Sequence, residues 1–200
     1  MNQDVSFRVI LIVGFIAFLA LMLYHRIRSW ASRERLDRSH EGLFILATLR
    51  PVGLLLWLGV IAYMIRPRWL AWGSLALPRW LRWAGVGCFG IGFGLLAWAL
   101  GNLGKNLTDT VVTRREHTLV TEGPYAWVRH PFYDAAALLM LSISLIAANW
   151  FFLLAGSIVL LLLVIRTDRE EERLLARFGD PYREYRSRTG RFVPRLRPKK

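Results

Sequence analysis

The sequence predicts an all-α, polytopic membrane protein of about five transmembrane helices. Hydrophobic residues make up 54% of its 200 residues and charged residues only 20%, and the mean hydropathy is +0.34. The charges are separated by long uncharged apolar runs, and a run of about 20 apolar residues can cross a bilayer as a helix. Composition and run length together favour a membrane protein over a soluble domain.

The chain is strongly basic, with 27 Lys and Arg against 14 Asp and Glu and a net charge of +13. Nucleic-acid-binding proteins spread such charge over a polar surface, whereas here it is confined between apolar runs, so no nucleic-acid partner is predicted. The lone cysteine, Cys88, lies inside an apolar run, which excludes a disulfide framework. No metal site is predicted either, because no metal-ligand spacing relates the four histidines, His25, His40, His117 and His130.

Three spans are predicted in the N-terminal half, at residues 9–24, 42–65 and 83–103. The first is interpreted as a retained anchor rather than a signal peptide, because Asp4 stands where a basic leader is expected. Arg50-Pro51 interrupts the second span. Either the Arg50 charge faces a cavity or partner, or it reaches the surface because the helix starts at Pro51.

The last two spans are predicted from residues 135–165, thirty-one residues without a charge. One helix of that length measures about 46 Å, which exceeds the roughly 30 Å of the hydrocarbon core. A break at Asn149 turns the run into two short arms of a tight helical hairpin. This hairpin brings the number of predicted spans to five.

The distribution of Lys and Arg predicts that the N-terminus is outside and the C-terminus cytoplasmic. In that orientation twenty-one basic residues face the cytoplasm and five face outside. The basic tail beyond residue 190 is expected to attract anionic lipid. Residues 66–82 combine four arginines with three tryptophans, and Trp83 follows directly, a pattern that predicts a helix lying in the headgroup region.

A glycine-rich run, Gly85 to Gly90, matches G-x-G-x-x-G. The dinucleotide-binding fingerprint requires a preceding strand and an aqueous βαβ unit, which an apolar membrane run does not provide. Gly90 and Gly94 add a G-x-x-x-G spacing. Close helix packing is therefore the favoured interpretation of these glycines.

Residues 117–133 carry features that a simple membrane anchor does not require. Gly123-Pro124 indicates a turn, and Pro131 is well placed as the first residue of the fourth membrane helix. The positive end of that helix suits a carboxylate or a phosphate. Polar and aromatic residues gather around it, namely Tyr125, Trp127, Arg129, His130 and Tyr133.

A second chemical stretch follows the fifth span. If that helix continues, Arg166 and Glu170 lie four residues apart on one face. A surface ion pair on a solvated helix is the ordinary explanation for such a pair. Three consecutive carboxylates, Glu170 to Glu172, where a helix leaves the bilayer, would instead suit a cationic ligand.

These two stretches together resemble the isoprenylcysteine carboxyl methyltransferase family, which is related to the phospholipid N-methyltransferases. The resemblance is carried by His117-Thr-Leu-Val, by G-x-Y-x-x-x-R-H-P-x-Y over 123–133, and by Arg166, Glu170-Glu171 and the run F-G-x-x-Y-x-x-Y over 178–185. It covers roughly residues 100–193. The chain accordingly divides into N-terminal spans over 1–103 and a methyltransferase catalytic region over 104–200.

The resemblance implies a multi-span enzyme that uses S-adenosyl-L-methionine without a Rossmann domain, with a cytoplasmic pocket formed by the 104–134 loop, the last two spans and the tail. It also implies a catalytic role for Arg166, facing the reacting group of the substrate. The cofactor-binding residues that it implies are His117, Thr118, Leu119, Val120, Tyr125, His130, Pro131, Phe132, Tyr133, Glu170 and, as a second carboxylate, Glu171.

The expected function is methyl transfer to a lipophilic acceptor that enters from the bilayer, foremost the carboxylate of an isoprenylcysteine-like substrate. A carboxylate needs no general base, and Arg166 could hold it in line with the methyl group. A phospholipid amine or a thiol remains an alternative acceptor. A non-enzymatic membrane scaffold or transporter is the alternative of another class.

Overall fold

The computed structural model describes residues 3–30, 45–103 and 119–195, and it is helical almost throughout these ranges. A π-helical turn, Ile45–Leu49, leads into α2, and two 3₁₀ helices, Pro67–Gly73 and Gly123–Ala126, lie between longer elements. The α-helices are α1 Gln3–Trp30, α2 Arg50–Ile65, α3 Arg79–Leu103, α4 Pro131–Ala147, α5 Trp150–Phe178 and α6 Asp180–Arg188.

The prediction of an all-α, polytopic membrane protein is confirmed. Four helical stretches are long and apolar enough to cross a membrane, and α4 is a shorter apolar helix of 17 residues. The helices run past the predicted spans, because polar residues at their ends continue the backbone hydrogen bonding beyond the apolar run. The four stretches are Asp4–Arg28, Ala47–Ile65, Arg79–Leu103 and Trp150–Phe178.

The second span is continuous where an interruption was predicted. The π-helical turn runs directly into α2, whose first residue is Arg50, and Pro51 occupies the first turn. Proline is tolerated in the first turn of an α-helix, and here the helical path continues through it from the π-helical turn. Arg50 is exposed at this end of the span, which agrees with the interpretation that it reaches the surface.

The prediction of one helix over residues 66–82 is wrong. The segment consists of the 3₁₀ helix Pro67–Gly73, an extended stretch, and the first turn of α3. Gly73 lies against the hairpin between α4 and α5, since a Cβ there would meet Asn149 Oδ1 at 2.5 Å. This contact holds the segment to the bundle, while Trp69 and Trp80 point outward with 56% and 70% of their surface exposed.

The predicted break at Asn149 is confirmed. Ala148 adopts a left-handed conformation with φ of 49°, which ends α4. Asn149 then caps α5 by accepting a hydrogen bond from the Phe151 amide at 3.0 Å. Its Nδ2 donates to the Leu70 carbonyl at 2.8 Å. One buried side chain therefore sets the hairpin and fastens it to the 3₁₀ helix.

Two arginines join the helix ends on the same side of the bundle as this hairpin tip. Arg82 of α3 is 8% exposed, and its Nε and Nη2 donate to the Ile146 carbonyl at 3.1 and 2.9 Å. Its Nη1 pairs with Asp4 of α1 at 2.6 Å. Arg8 donates to the carbonyls of Met64 and Ile65 at the end of α2. The last carbonyls of a helix lack intrahelical partners, so these cations satisfy them and favour the helix dipole.

Close packing of α3 on α4 explains only some of the glycines. A Cβ at Gly85 would lie 2.7 Å from Leu145 Cβ, and one at Gly92 would lie 2.9 Å from Leu138 Cβ. A Cβ at Gly90 or Gly94 would meet nothing within 4 Å. The packing interpretation therefore holds for Gly85, whereas the predicted G-x-x-x-G pair faces open space.

Substitution of Gly85 by alanine is expected to destabilise the bundle. The added Cβ would meet a side-chain atom held close to the α4 backbone, and overpacking of this kind costs about 1–3 kcal/mol. The matched control is Gly87→Ala on the same helix, where a Cβ meets nothing within 4 Å and helix propensity alone adds up to about 1 kcal/mol of stability. Thermal unfolding in detergent measures the difference, and equal midpoints for the two variants would contradict the packing.

A large apolar cavity lies inside the bundle. It has a volume of about 480 Å³ and is lined by side chains from α1 to α5. Cavities of this size accommodate small-molecule ligands. Its lining includes Gly53 and Trp57 of α2, Phe132 and Leu139 of α4, and Leu163 of α5.

Candidate active site at the start of α4

The turn before α4 is built against the end of α3. Gly123 has φ of 61°, and a Cβ there would lie 2.5 Å from the Asn102 side chain, so only glycine fits. Tyr125 is buried in the 3₁₀ helix that follows, and its carbonyl accepts a hydrogen bond from the Tyr185 hydroxyl at 2.8 Å. Burial raises the pKa of Tyr125 and raises that of Tyr185 to about 12, so both phenols are neutral at physiological pH.

The first turn of α4 presents an aromatic and polar pair to α5. Pro131 begins the helix as predicted and is fully buried. The His130 and Tyr133 rings are stacked, with centroids 5.3 Å apart and an interplanar angle of 6°. The Tyr133 hydroxyl donates to Glu170 Oε2 at 2.7 Å. This hydrogen bond joins the start of α4 to α5 and fixes the direction of the Glu170 carboxylate.

The predicted continuation of the fifth span as a helix is confirmed, since α5 extends to Phe178. Arg166 and Glu170 therefore lie one turn apart on one face, and both are half-buried. The Nε of Arg166 is buried and has no hydrogen-bond partner among the residues described. A buried donor without a partner is costly, so this atom is well suited to bind a ligand.

Glu171 lies at the centre of a separate charged cluster. It is 2% exposed, and its Oε1 accepts hydrogen bonds from Arg129 Nε at 2.9 Å and Arg191 Nε at 3.2 Å. His130 Nε2 lies 3.2 Å from the same oxygen, and Arg186 Nε lies 3.5 Å from Oε2. The Glu171 charge is thus balanced inside the protein.

Residues 189–193, which we call the C-terminal strap, cross the loop before α4. The Arg129 and His130 amides donate to the carbonyls of Gly190 and Arg191 at 2.9 and 3.1 Å. Arg129 Nη1 also donates to the Thr189 carbonyl at 2.6 Å. The Arg191 pKa is raised by its hydrogen bond to Glu171. Backbone hydrogen bonds and the Arg191–Glu171 ion pair therefore together hold the strap.

The structure brings together most, but not all, of the residues predicted to bind the cofactor. Phe132 instead lines the apolar cavity, although its ring contacts Tyr133 with centroids 6.0 Å apart. Leu119 and Val120 are half-buried in an irregular stretch before the turn. His117 and Thr118 lie outside the described residues. The residues gathered near α4 and α5 are Tyr125, His130, Pro131, Tyr133, Glu170 and Glu171.

Comparison with known proteins confirms the resemblance. Residues 85–176 match the family model described as the Isoprenylcysteine carboxyl methyltransferase (ICMT) family. A Protein-S-isoprenylcysteine O-methyltransferase of Schizosaccharomyces pombe is 32% identical over 99 residues, which are 48% of this chain and 42% of that protein. The human protein of the same name is 30% identical over 99 residues, 48% of this chain and 35% of its own.

A relative with a different name matches the same part of the chain to a similar extent. The Cobalt-zinc-cadmium resistance protein CzcN of Cupriavidus metallidurans is 30% identical over 104 residues, 52% of this chain and 48% of that protein. The chain thus spans less than half the length of each of these three relatives.

A solved structure shares the fold. It is that of the eukaryotic intramembrane Ras methyltransferase ICMT, with a TM-score of 0.54 and 22% sequence identity. The similarity covers 96% of this chain and 70% of that one. The likeness therefore extends over the N-terminal spans, beyond the residues that match the family model.

Proposed function

We propose, from the match of residues 85–176 to the isoprenylcysteine carboxyl methyltransferase family model, that this chain is an S-adenosyl-L-methionine-dependent methyltransferase. Its acceptor is a lipophilic molecule in the bilayer, most specifically the carboxylate of an isoprenylcysteine-like substrate. The observation that carries this proposal is the position of Arg166. The arginine follows the cavity-lining Leu163 by one turn of α5, and its buried Nε lacks a partner among the residues described.

The residues beside α4 fit the donor chemically. Glu170, fixed by Tyr133, would pair with the cofactor ammonium group, and the positive N-terminal end of α4 would favour its carboxylate. Leu119 and Val120 would contact the adenine ring. When bound, the cofactor supplies a methyl group already activated on a sulfonium, so the protein contributes alignment and exclusion of water.

Arg166 favours a carboxylate as the acceptor. A carboxylate attacks without losing a proton, and the planar guanidinium binds its two oxygens side by side. An amine or a thiol would first have to lose a proton, which a permanently charged arginine cannot accept. Neutral Tyr125, whose pKa is raised by burial, is no base at physiological pH.

The apolar cavity supports a lipophilic chain on the acceptor. Its wall includes Phe132, whose ring contacts Tyr133, the partner of Glu170. The cavity therefore extends to within one residue of the polar cluster. An apolar chain in the cavity would place its polar end beside Arg166.

Methyl transfer from labelled cofactor tests this function directly. The protein in vesicles would be supplied with a prenylcysteine analogue, with total lipid, or with a lipophilic thiol. We expect base-labile label, the mark of a methyl ester, in the prenylcysteine analogue alone. Label in the lipid amine or the thiol would instead assign the alternative acceptor, and no binding of S-adenosyl-L-methionine would favour the scaffold or transporter.

Filling the cavity should weaken binding of the acceptor without affecting the cofactor. A Cβ at Gly53 meets no heavy atom within 4 Å, so Gly53→Leu would extend a side chain into the cavity without a clash near the backbone. We expect the KM of a long-chain acceptor to rise about 10-fold, which corresponds to about 1.4 kcal/mol. The control is Gly87→Leu, at an exposed glycine with equally open surroundings. An equal rise in both variants would contradict the role of the cavity.

The orientation of the chain in the membrane is part of the same proposal. With the N-terminus outside, the start of α4 and the end of α5 face the cytoplasm, where the polar cofactor is dissolved. The acceptor would enter sideways from the bilayer. The basic tail would bind anionic lipid near the same surface.

A further inference from the structure

The carboxylate of Glu171 is already paired with basic side chains of the protein. Its Oε1 contacts Arg129 and Arg191, at 2.9 and 3.2 Å, and the residue is 2% exposed. A second basic side chain of the tail, Arg186, faces its other oxygen at 3.5 Å. The cofactor ammonium group would have to compete with these arginines. Glu170 is half-buried, and its hydrogen bond among the residues described comes from the neutral Tyr133 phenol, so it is the better partner for a cation.

The cluster joins three parts of the chain that are far apart in sequence. Arg129 and His130 belong to the loop before α4, Glu171 to α5, and Arg191 to the C-terminal strap. Arg191 also pairs with Asp168 at 2.5 Å, one turn earlier on α5. A buried charge network of this kind is destabilised strongly when one member is removed, because the others are left uncompensated.

The C-terminal strap makes a tight turn and packs its Phe192 ring against His130. A Cβ at Gly190 would lie 1.7 Å from the Val193 carbonyl oxygen, so the chain turns tightly there. The Phe192 ring lies against His130, with centroids 5.7 Å apart. His130 is thus held between the strap and Tyr133, and Tyr133 in turn holds Glu170.

We infer that Glu171 is a positioning residue that fastens the C-terminal strap across residues 127–130 and thereby orients His130, Tyr133 and Glu170. The strap is held by this carboxylate whatever the chain catalyses. The consequence for cofactor affinity rests on the proposed function. The two parts are tested by separate measurements.

Proteolysis tests the fastening of the strap. Trypsin cleaves after arginine, and cleavage of the bonds that follow Arg188 and Arg191 requires the strap to leave its place. We expect Glu171→Gln in detergent to accelerate cleavage at these bonds about 10-fold, measured by mass spectrometry of the released peptides. The matched control is Glu172→Gln, an exposed carboxylate one residue further along α5, which should leave the rate within about 2-fold.

Cofactor binding tests the positioning. Calorimetry should show that Glu171→Gln and Arg191→Gln each raise the Kd for S-adenosyl-L-methionine about 10-fold. The double variant should be no worse than either single one, because both changes release the same strap. In turnover, the KM for the cofactor should rise while the KM for the acceptor stays unchanged. A general loss of stability would instead lower the folded fraction, and with it the maximal rate, without a selective rise in the KM for the cofactor.

Each result decides one part. A wild-type cleavage rate in Glu171→Gln overturns the fastening of the strap. Faster cleavage with unchanged cofactor Kd overturns the positioning role. If the wild-type chain binds no S-adenosyl-L-methionine, the proposed function fails and the positioning role fails with it, whereas the cleavage rates still decide whether Glu171 holds the strap.

Discussion

Glu170→Gln is expected to raise the Kd for S-adenosyl-L-methionine by about 100-fold, because a charged hydrogen bond contributes roughly 1.5–3 kcal/mol. The amide keeps the size of the side chain, and its oxygen can still accept the hydrogen bond from Tyr133, which is 2.7 Å long in the wild type. What is lost is the negative charge that would pair with the cofactor ammonium group. Calorimetry in detergent measures the change.

Two controls separate charge from shape at this position. Glu172→Gln removes a neighbouring exposed charge and should leave the Kd unchanged. Tyr133→Phe keeps the Glu170 carboxylate but removes the hydrogen bond that orients it, so we expect a smaller loss of cofactor affinity than in Glu170→Gln. The thermal midpoint of Glu170→Gln should match that of the wild type. Normal cofactor affinity in a folded Glu170→Gln protein would contradict the assignment of Glu170 to the binding site of the methyl donor.

Arg166→Ala is expected to leave cofactor binding intact and to reduce turnover by about 10²–10³-fold, the range found when one preorganised donor is removed from a reacting group. Arg166 Nε has no hydrogen-bond partner among the described residues, so the substitution breaks no internal bond of that atom. The acceptor carboxylate would lose the cation that aligns it with the methyl group. Single-turnover transfer of labelled methyl measures the effect.

A matched substitution on the same helix checks that this loss is specific. Arg173 is exposed, two turns beyond Arg166, and Arg173→Ala should turn over at the wild-type rate. Arg166→Lys should recover only part of the activity, because an ammonium lacks the planar pair of donors. Unchanged turnover in Arg166→Ala would show that this arginine is an ordinary charge on the helix surface.

The fold was predictable wherever hydrophobicity alone determines structure. Uncharged runs located the membrane helices, and the excess length of residues 135–165 revealed the hairpin at Asn149. The extended break between Gly73 and Arg79 was missed, although Gly73-Ser74 and Pro78 are helix-breaking signals; its contact with the hairpin tip was not predictable. The open surroundings of Gly90 were not predictable either, because its four-residue spacing from Gly94 matches a helix-packing motif.

In the candidate site, too, the placements set by local spacing were predictable and the long-range contacts were not. Pro131 at the helix start, and Arg166 with Glu170 on one face, follow from local spacing, and both placements are found. The pairing of Glu171 with Arg191 joins residues 20 positions apart through a turn and a short helix. No periodicity signals such a contact. The residue predicted as a second cofactor carboxylate is therefore the one whose partners only the tertiary structure reveals.

In the hairpin of α4 and α5, a small tilt at the tip becomes a larger displacement at the opposite end. Its tip is pinned by Asn149 to the Leu70 carbonyl, while its two arms carry Tyr133 and Glu170 at the opposite end. Seventeen residues of α4 span about 25 Å at 1.5 Å per residue, so a tilt of only about 3° at the tip would displace the far end by roughly 1 Å. A misplacement of about 1 Å can cost a factor of about 10² in rate. Under the proposed function, the contacts that Asn149 and Arg82 make at the hairpin tip, at the end of α4 opposite the candidate site, set how precisely donor and acceptor would be aligned.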